Sequence, residues 1–129
     1  MKLNGNISEK QVENLILQYL NAQGIFAWKN QTVGIYDSSK KVYRKPKNKF
    51  HINGVADILG ILPNGKFLAI EVKSPKNKVR TLMQKEFIDA INRNGGVAFF
   101  ADDLDLVRQK LFEEGIFELK NKKKIQKDF

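Results

Sequence analysis

The chain has 129 residues, 42% of them apolar, with 23 Lys and Arg against 14 Asp and Glu and a formal net charge of +9. That suits one domain with its own core and a surface that attracts polyanions, with nucleic acid or an anionic membrane the usual candidates. No apolar run reaches the roughly 18–20 residues of a membrane span and no signal-peptide apolar region opens the chain, so a cytoplasmic protein with no membrane partner is expected. With no Cys and one His, His51, disulfides and thiolate metal sites are excluded. A His-based zinc site or Ser-His-Asp triad has little to build on. Any metal here would be held by oxygen, which suits Mg²⁺, Mn²⁺ or Ca²⁺.

Residues 8–22 read as a helix, with Ser8 as N-cap, Gln11 as its capping-box partner and Gly24 at the end. At about 100° per residue, Lys10, Gln11, Asn14, Gln18 and Asn21 share a polar face, and Val12, Leu15, Ile16, Tyr19 and Leu20 the opposite one. Glu9 and Glu13 fall among the apolar residues. The helix dipole explains a first-turn Glu9; that explanation is weaker for Glu13, which is expected to face a site. Residues 25–29 form a short strand, and 33–44 a hairpin or flap turning near Asp37, followed by a basic loop over 45–53. Strands over 55–62 and 66–73 flank Pro63-Asn64-Gly65, and a second basic loop runs from Pro75 to Arg80. A helix over 81–94 opens on Thr81, with Gln84 at capping-box spacing, and closes on Gly95-Gly96. Val97–Ala101 is a buried strand, and Asp102 or Asp103 caps a helix over about 103–114. Strand, helix and strand over 66–101 make that strand pair parallel, with a right-handed crossover. Residues 116–129 form a Lys-rich tail, with a short strand at 116–119 or frayed throughout.

Three charges stand where the hairpin pattern calls for core: Asp57, Glu71 and Lys73. In a tight hairpin centred on Asn64, Asp57 falls opposite Glu71, with Cβ atoms roughly 4.5–5.5 Å apart. Side chains alternate along a strand, so Lys73 points the same way as Glu71. Like charges directly opposite destabilise a sheet, so the pair calls for a compensating cation. Two carboxylates, waters and a backbone carbonyl such as that of Val72 make a Mg²⁺ site. With Lys73 alongside to orient a water or offset phosphate charge, the set fits metal-assisted phosphodiester hydrolysis. Gln84 lies on the apolar face of its helix, where it can cap Thr81 or hydrogen-bond the site carboxylates or a phosphate.

The substrate side is basic. Lys40, Lys41, Arg44, Lys45, Lys47 and Lys49 form one stretch without an acid, and Lys76, Lys78 and Arg80 follow Lys73. Both segments adjoin the charged end of the hairpin, where they would neutralise phosphates. Lys29 joins them as a nucleic-acid contact. Trp28, Tyr36 and Tyr43 can stack on bases or pack within the fold.

In order along the chain stand Ser8-Glu9-Lys10-Gln11-Val12-Glu13, Trp28-Lys29-Asn30, Gly34-Ile35-Tyr36-Asp37, Gly54-Val55-Ala56-Asp57, Ile70-Glu71-Val72-Lys73, Gln84 and Gly95-Gly96-Val97. This set resembles the PD-(D/E)XK nuclease core, and most of all its VRR-NUC branch of phages and bacteria, over about residues 8–112. The resemblance implies a single α/β nuclease domain over 1–129 with a restriction-endonuclease-like core. Its central mixed β-sheet would be flanked by helices in the order αβββαβα, with an extra hairpin after the first strand. It implies that Asp57 and Glu71 bind Mg²⁺ or Mn²⁺, that Lys73 is the catalytic lysine, that Gln84 is the family's glutamine, and that a glutamate of the first helix completes the site. The spacing of Glu13 to the helix-ending glycine is similar to that in archaeal Holliday-junction resolvases, and Glu9 also matches a recurrent position, so both stay candidates. The family's usual Pro before the Asp is Ala56 here. The implied activity is that of a metal-dependent DNA endonuclease selective for four-way junctions or flaps, often homodimeric, in the cytoplasm of a bacterium or phage-infected host. The alternatives are a sequence-specific or restriction-type nuclease, and a binding module of this fold without catalysis. The intact carboxylates and Lys73 argue against the last.

Overall fold

The computed structural model of the chain describes residues 6–31, 35–44 and 49–119, with the backbone alone for 35–37 and 42–44. The elements are α1 (Glu9–Ala22), β1 (Phe26–Lys29), β2 (Ile35–Asp37), β3 (Val42–Arg44), β4 (Ile58–Ile61), β5 (Phe67–Val72), α2 (Leu82–Arg93), β6 (Val97–Ala101) and α3 (Leu104–Glu113). Four strands form one mixed sheet in the order β1-β4-β5-β6, and β2 and β3 pair separately. β4 is antiparallel to β1 and β5, whereas β5 and β6, joined through α2, are parallel. The described chain is therefore α/β, an open mixed sheet with three helices. Among the described residues no helix is long and apolar enough to cross a membrane.

Local signals set the helix starts. Ser8 and Gln11 exchange side-chain and backbone hydrogen bonds at 2.8 and 3.2 Å, a complete capping box. Val12, Ile16 and Leu20 of α1 then bury against Ile58, Leu68, Ile70 and Val72 of the sheet, with Val107 and Leu111 of α3 on the same side. α2 covers the opposite face, where Ile88 packs on Ala56, Ala69, Ala98 and Phe100. Three layers result, with β5 buried along all but its first residue.

The hairpin register is the expected one, from Ile61 opposite Phe67 to Ile58 opposite Ile70. The ladder is shorter than the 55–62 and 66–73 read from the sequence, and Asp57 stands one residue outside it. The cause is local: the Asp57 carboxylate accepts the Val72 N–H at 2.8 Å, and the Asp57 carbonyl accepts the Asn30 N–H at 2.7 Å. The expected strand at 116–119 is absent. That segment lies instead against α1 and α3: Leu119 N donates to Gln23 Oε1 at 2.7 Å, Glu118 accepts from Tyr19 and Arg108, and Ile116 joins the core. The tail beyond residue 119 lies outside the described residues.

Gly54 fixes how the chain enters the hairpin. Its φ is +76°, and a Cβ there would meet the Met83 carbonyl carbon and oxygen at 2.5 Å and Gln84 N at 2.8 Å. Gly54→Ala must push the first turn of α2 away and strain the backbone. A loss of about 2–4 kcal/mol is expected, read as a lower urea midpoint at unchanged m-value.

Candidate functional site

The strand directions gather the ends of β1, β5 and β6 and the start of β4 at one end of the sheet. Lys29, Asp57, Glu71, Lys73 and Asp102 stand there. α2 and α3 begin there because each follows the strand that ends there, and their N-terminal dipoles favour an anion on that side.

Glu71 is 5% exposed and Lys73 7%. Glu71 Oε2 accepts from Gln84 Nε2 at 2.9 Å and lies 3.7 Å from Lys73 Nζ, while Lys73 Nζ donates to Gln84 Oε1 at 3.0 Å. That same oxygen accepts the Thr81 N–H at 3.1 Å, and the Thr81 hydroxyl accepts the Gln84 N–H at 3.1 Å. The two roles open to Gln84 are thus both filled by one amide: it closes the capping box of α2 and ties Lys73 to Glu71.

Burial, then the neighbouring charge of Asp57, push the Glu71 carboxyl up to about 8, with Lys73 pulling it down and an Asp57 hydrogen bond and Glu9 adding to the rise. Near neutral pH the pair therefore holds a proton where a cation would also serve. Among the described residues no group of three or more His, Cys, Asp or Glu is arranged to hold a metal ion. The donors here are two carboxylates beside a strand-end carbonyl. Mg²⁺ is commonly held by one or two carboxylates, completed by waters and substrate phosphate, so the residues fit that ion.

Both candidate glutamates of α1 reach this end. A cleft of about 260 Å³ is lined by Glu9, Lys10, Glu13, Lys29, Asp57 and Val72. Glu13 is 6% exposed, with its carboxylate 3.1 Å from Lys29 Nζ. Lys29, expected as a nucleic-acid contact, also pairs with Glu13, because the last residue of β1 lies beside α1, and its side chain stays 41% exposed. Lys10 lines the cleft although periodicity puts it on the polar face; helical angles give the direction of Cβ and not the reach of a four-carbon stem.

A second cavity, of about 150 Å³, is lined by Lys73, Lys78, Arg80, Phe100, Ala101, Asp102 and Leu106. Lys78 Nζ pairs with Asp102 Oδ2 at 3.1 Å, and the Arg80 guanidinium stands 4.3 Å over the Phe100 ring. Asp102 and Phe100 escaped sequence reasoning as site residues. Asp102 competes there with Asp103 for the cap of α3, which Asp103 takes through the Leu106 N–H at 2.9 Å. Lys76 is exposed beside this loop. Lys41 is exposed at the β2–β3 turn with φ +52°, and Lys49 stands 5.1 Å over Phe50. Arg44 lies in β3, described only by its backbone, and Lys45 and Lys47 lie outside the described residues. Trp28 is 39% exposed beside Phe26, their rings 5.2 Å apart. The side chains of Tyr36 and Tyr43 lie outside the description.

Comparison with models of known protein families, with curated proteins and with solved structures finds no match for this chain.

The Glu71 shift sets a pH dependence. Folding raises this carboxyl from 4.5 to about 8, so between those values the native state binds more protons than the unfolded state. Stability of the metal-free protein then falls as pH rises through that window. Glu71→Gln removes the titration. Urea denaturation at mildly acidic and mildly alkaline pH should show wild type losing on the order of 1–3 kcal/mol across the window and the variant losing less. Equal slopes would assign the effect to another group.

Proposed function

We propose that the chain is a metal-dependent endodeoxyribonuclease of PD-(D/E)XK type, similar to the VRR-NUC branch, acting on branched DNA. The observation that carries this reading is the pair of half-buried Asp57 and buried Glu71, with Lys73 tied to Glu71 through Gln84. The element order α, β, hairpin, β, β, α, β, α supports a restriction-endonuclease-like core. Asp57, Glu71 and the main-chain carbonyl of Val72 would hold Mg²⁺ or Mn²⁺, with Glu9 and Glu13 bounding the same cleft. Bound there, the ion supplies polarisation of a phosphoryl oxygen and a more acidic water.

The chain's own groups do the rest. Gln84 holds the Lys73 ammonium at a fixed point beside Glu71, where it can donate to a phosphate oxygen or orient a water. Lys29 offsets the charge of Glu13, so that the three carboxylates lining the cleft, Glu9, Glu13 and Asp57, are not all left uncompensated. Lys76, Lys78 and Arg80 neutralise phosphates beyond the reacting one. These cations address backbone rather than base edges, which favours recognition of DNA shape over sequence. A homodimer would set two such sites on opposed strands, as symmetric junction cleavage needs. The expected setting is the cytoplasm of a bacterium or phage-infected cell.

Labelled four-way junction, flap and linear duplex, each incubated with Mg²⁺ or with EDTA, test this directly. Wild type should cut the branched substrates only with Mg²⁺. Asp57→Asn and Lys73→Ala should each slow cutting by about 10²–10³-fold while still binding DNA. Binding without metal-dependent cutting would leave only a binding module. Equal cutting of linear duplex would remove the branch preference.

A further inference from the structure

We propose that the cavity between the Lys76–Arg80 loop and the start of α3 is a receptor for one phosphate group of a nucleic-acid strand, with Asp102 as an internal anion that the phosphate displaces. The placement beside the reacting group rests on the nuclease reading; the receptor itself does not.

Its size and charge select the ligand. About 150 Å³ is on the order of five water volumes, enough for a phosphate group and too little for a nucleotide with its base. Lys73, Lys78 and Arg80 face it against a single carboxylate, Asp102. Arg80 is stacked at 4.3 Å on Phe100, which fixes the guanidinium plane. Stacking uses the π-face and leaves the N–H edge for two oxygens of one anion. Among the described residues no carboxylate is paired with Arg80.

The loop that presents these cations is braced. Asn77 N donates to Ser74 O at 3.2 Å and to Ser74 Oγ at 3.0 Å, and Asn77 Oδ1 accepts the Val79 N–H at 3.2 Å. Ser74 itself is buried. Lys78 and Arg80 are thus carried on a turn anchored directly after Lys73.

Asp102 is the informative residue. Asp103 caps α3, so the Asp102 carboxylate is left to Lys78 at 3.1 Å. That pair is largely exposed on the lysine side, and such pairs exchange readily for a stronger anion. Lys73 lines this cavity and also holds Gln84 beside Glu71. A phosphate here would therefore share Lys73 with the reacting group.

The test is fluorescence anisotropy of labelled flap DNA on the full chain in EDTA, over a range of salt, with inorganic phosphate as competitor. Arg80→Gln should weaken binding about 10-fold and lower the salt slope by about one, Lys78→Gln should weaken it about 3-fold, and Arg80→Lys should recover part of the loss. Asp102→Asn should tighten binding about 3-fold, since it removes the competing anion and keeps the side-chain shape. A merely structural Asp102 would give weaker or unchanged binding, and either result overturns the proposal, as does unchanged affinity and slope in Arg80→Gln with an unaltered melting temperature. Substrates with 5′-phosphate and 5′-hydroxyl ends separate the sources. Equal losses in Arg80→Gln support the receptor with an internal phosphodiester as ligand, and a loss confined to the phosphorylated end supports it with a terminal phosphate. Because no metal is present, these outcomes stand apart from cleavage: intact phosphate effects with no Mg²⁺-dependent cutting would sink the nuclease reading alone.

Discussion

Glu71 lies in the buried part of the central strand β5, 5% exposed, and its neighbour across the hairpin end is a second carboxylate, Asp57. Two like charges kept this close, with Glu71 buried, oppose folding unless something offsets them. Lys73 offsets part of the charge, held by the Gln84 amide, and a proton offsets more. Much of the architecture serves that arrangement. β5 places Glu71 and Lys73 on one face, the capping box of α2 fixes Gln84, and Gly54 lets α2 begin close against the chain that leads to Asp57.

The charges at this end of the sheet are sorted. On the α1 side the cleft is acidic, with Glu9, Glu13 and Asp57 tempered by Lys29 and Lys10. On the side of β6 and α3 the cavity is basic, with Lys73, Lys78 and Arg80 tempered by Asp102. Glu71 and Lys73 lie between the two. Such a gradient suits an anionic strand that meets a cation on one side and ammonium or guanidinium groups on the other. The proposed chemistry depends on that adjacency more than on any single residue.

Local features of the sequence carried most of this. Ser8 with Gln11, and Thr81 with Gln84, announce helix starts through short-range hydrogen bonds that need no tertiary context. The Pro63-Asn64-Gly65 turn sets the hairpin register, and with it the meeting of Asp57 and Glu71. What the sequence concealed depends on contacts between distant segments. Asp57 leaves the ladder because its side chain takes the Val72 N–H. Lys29 pairs with Glu13 across to α1 while its side chain stays partly exposed. Residues 116–119 make no strand because Tyr19, Gln23 and Arg108 offer them side-chain partners first. The pairing of Lys78 with Asp102 needs Asp103 to take the helix cap. Two adjacent aspartates do not reveal which will do so.

If Asp57 and Glu71 hold a divalent cation as proposed, calorimetric titration of the wild-type chain with Mn²⁺ or Mg²⁺ will register it. Saturable binding in wild type that disappears in Asp57→Asn and persists in Arg80→Gln is the expected result. Absence of binding at millimolar metal, or equal binding in wild type and Asp57→Asn, would contradict it.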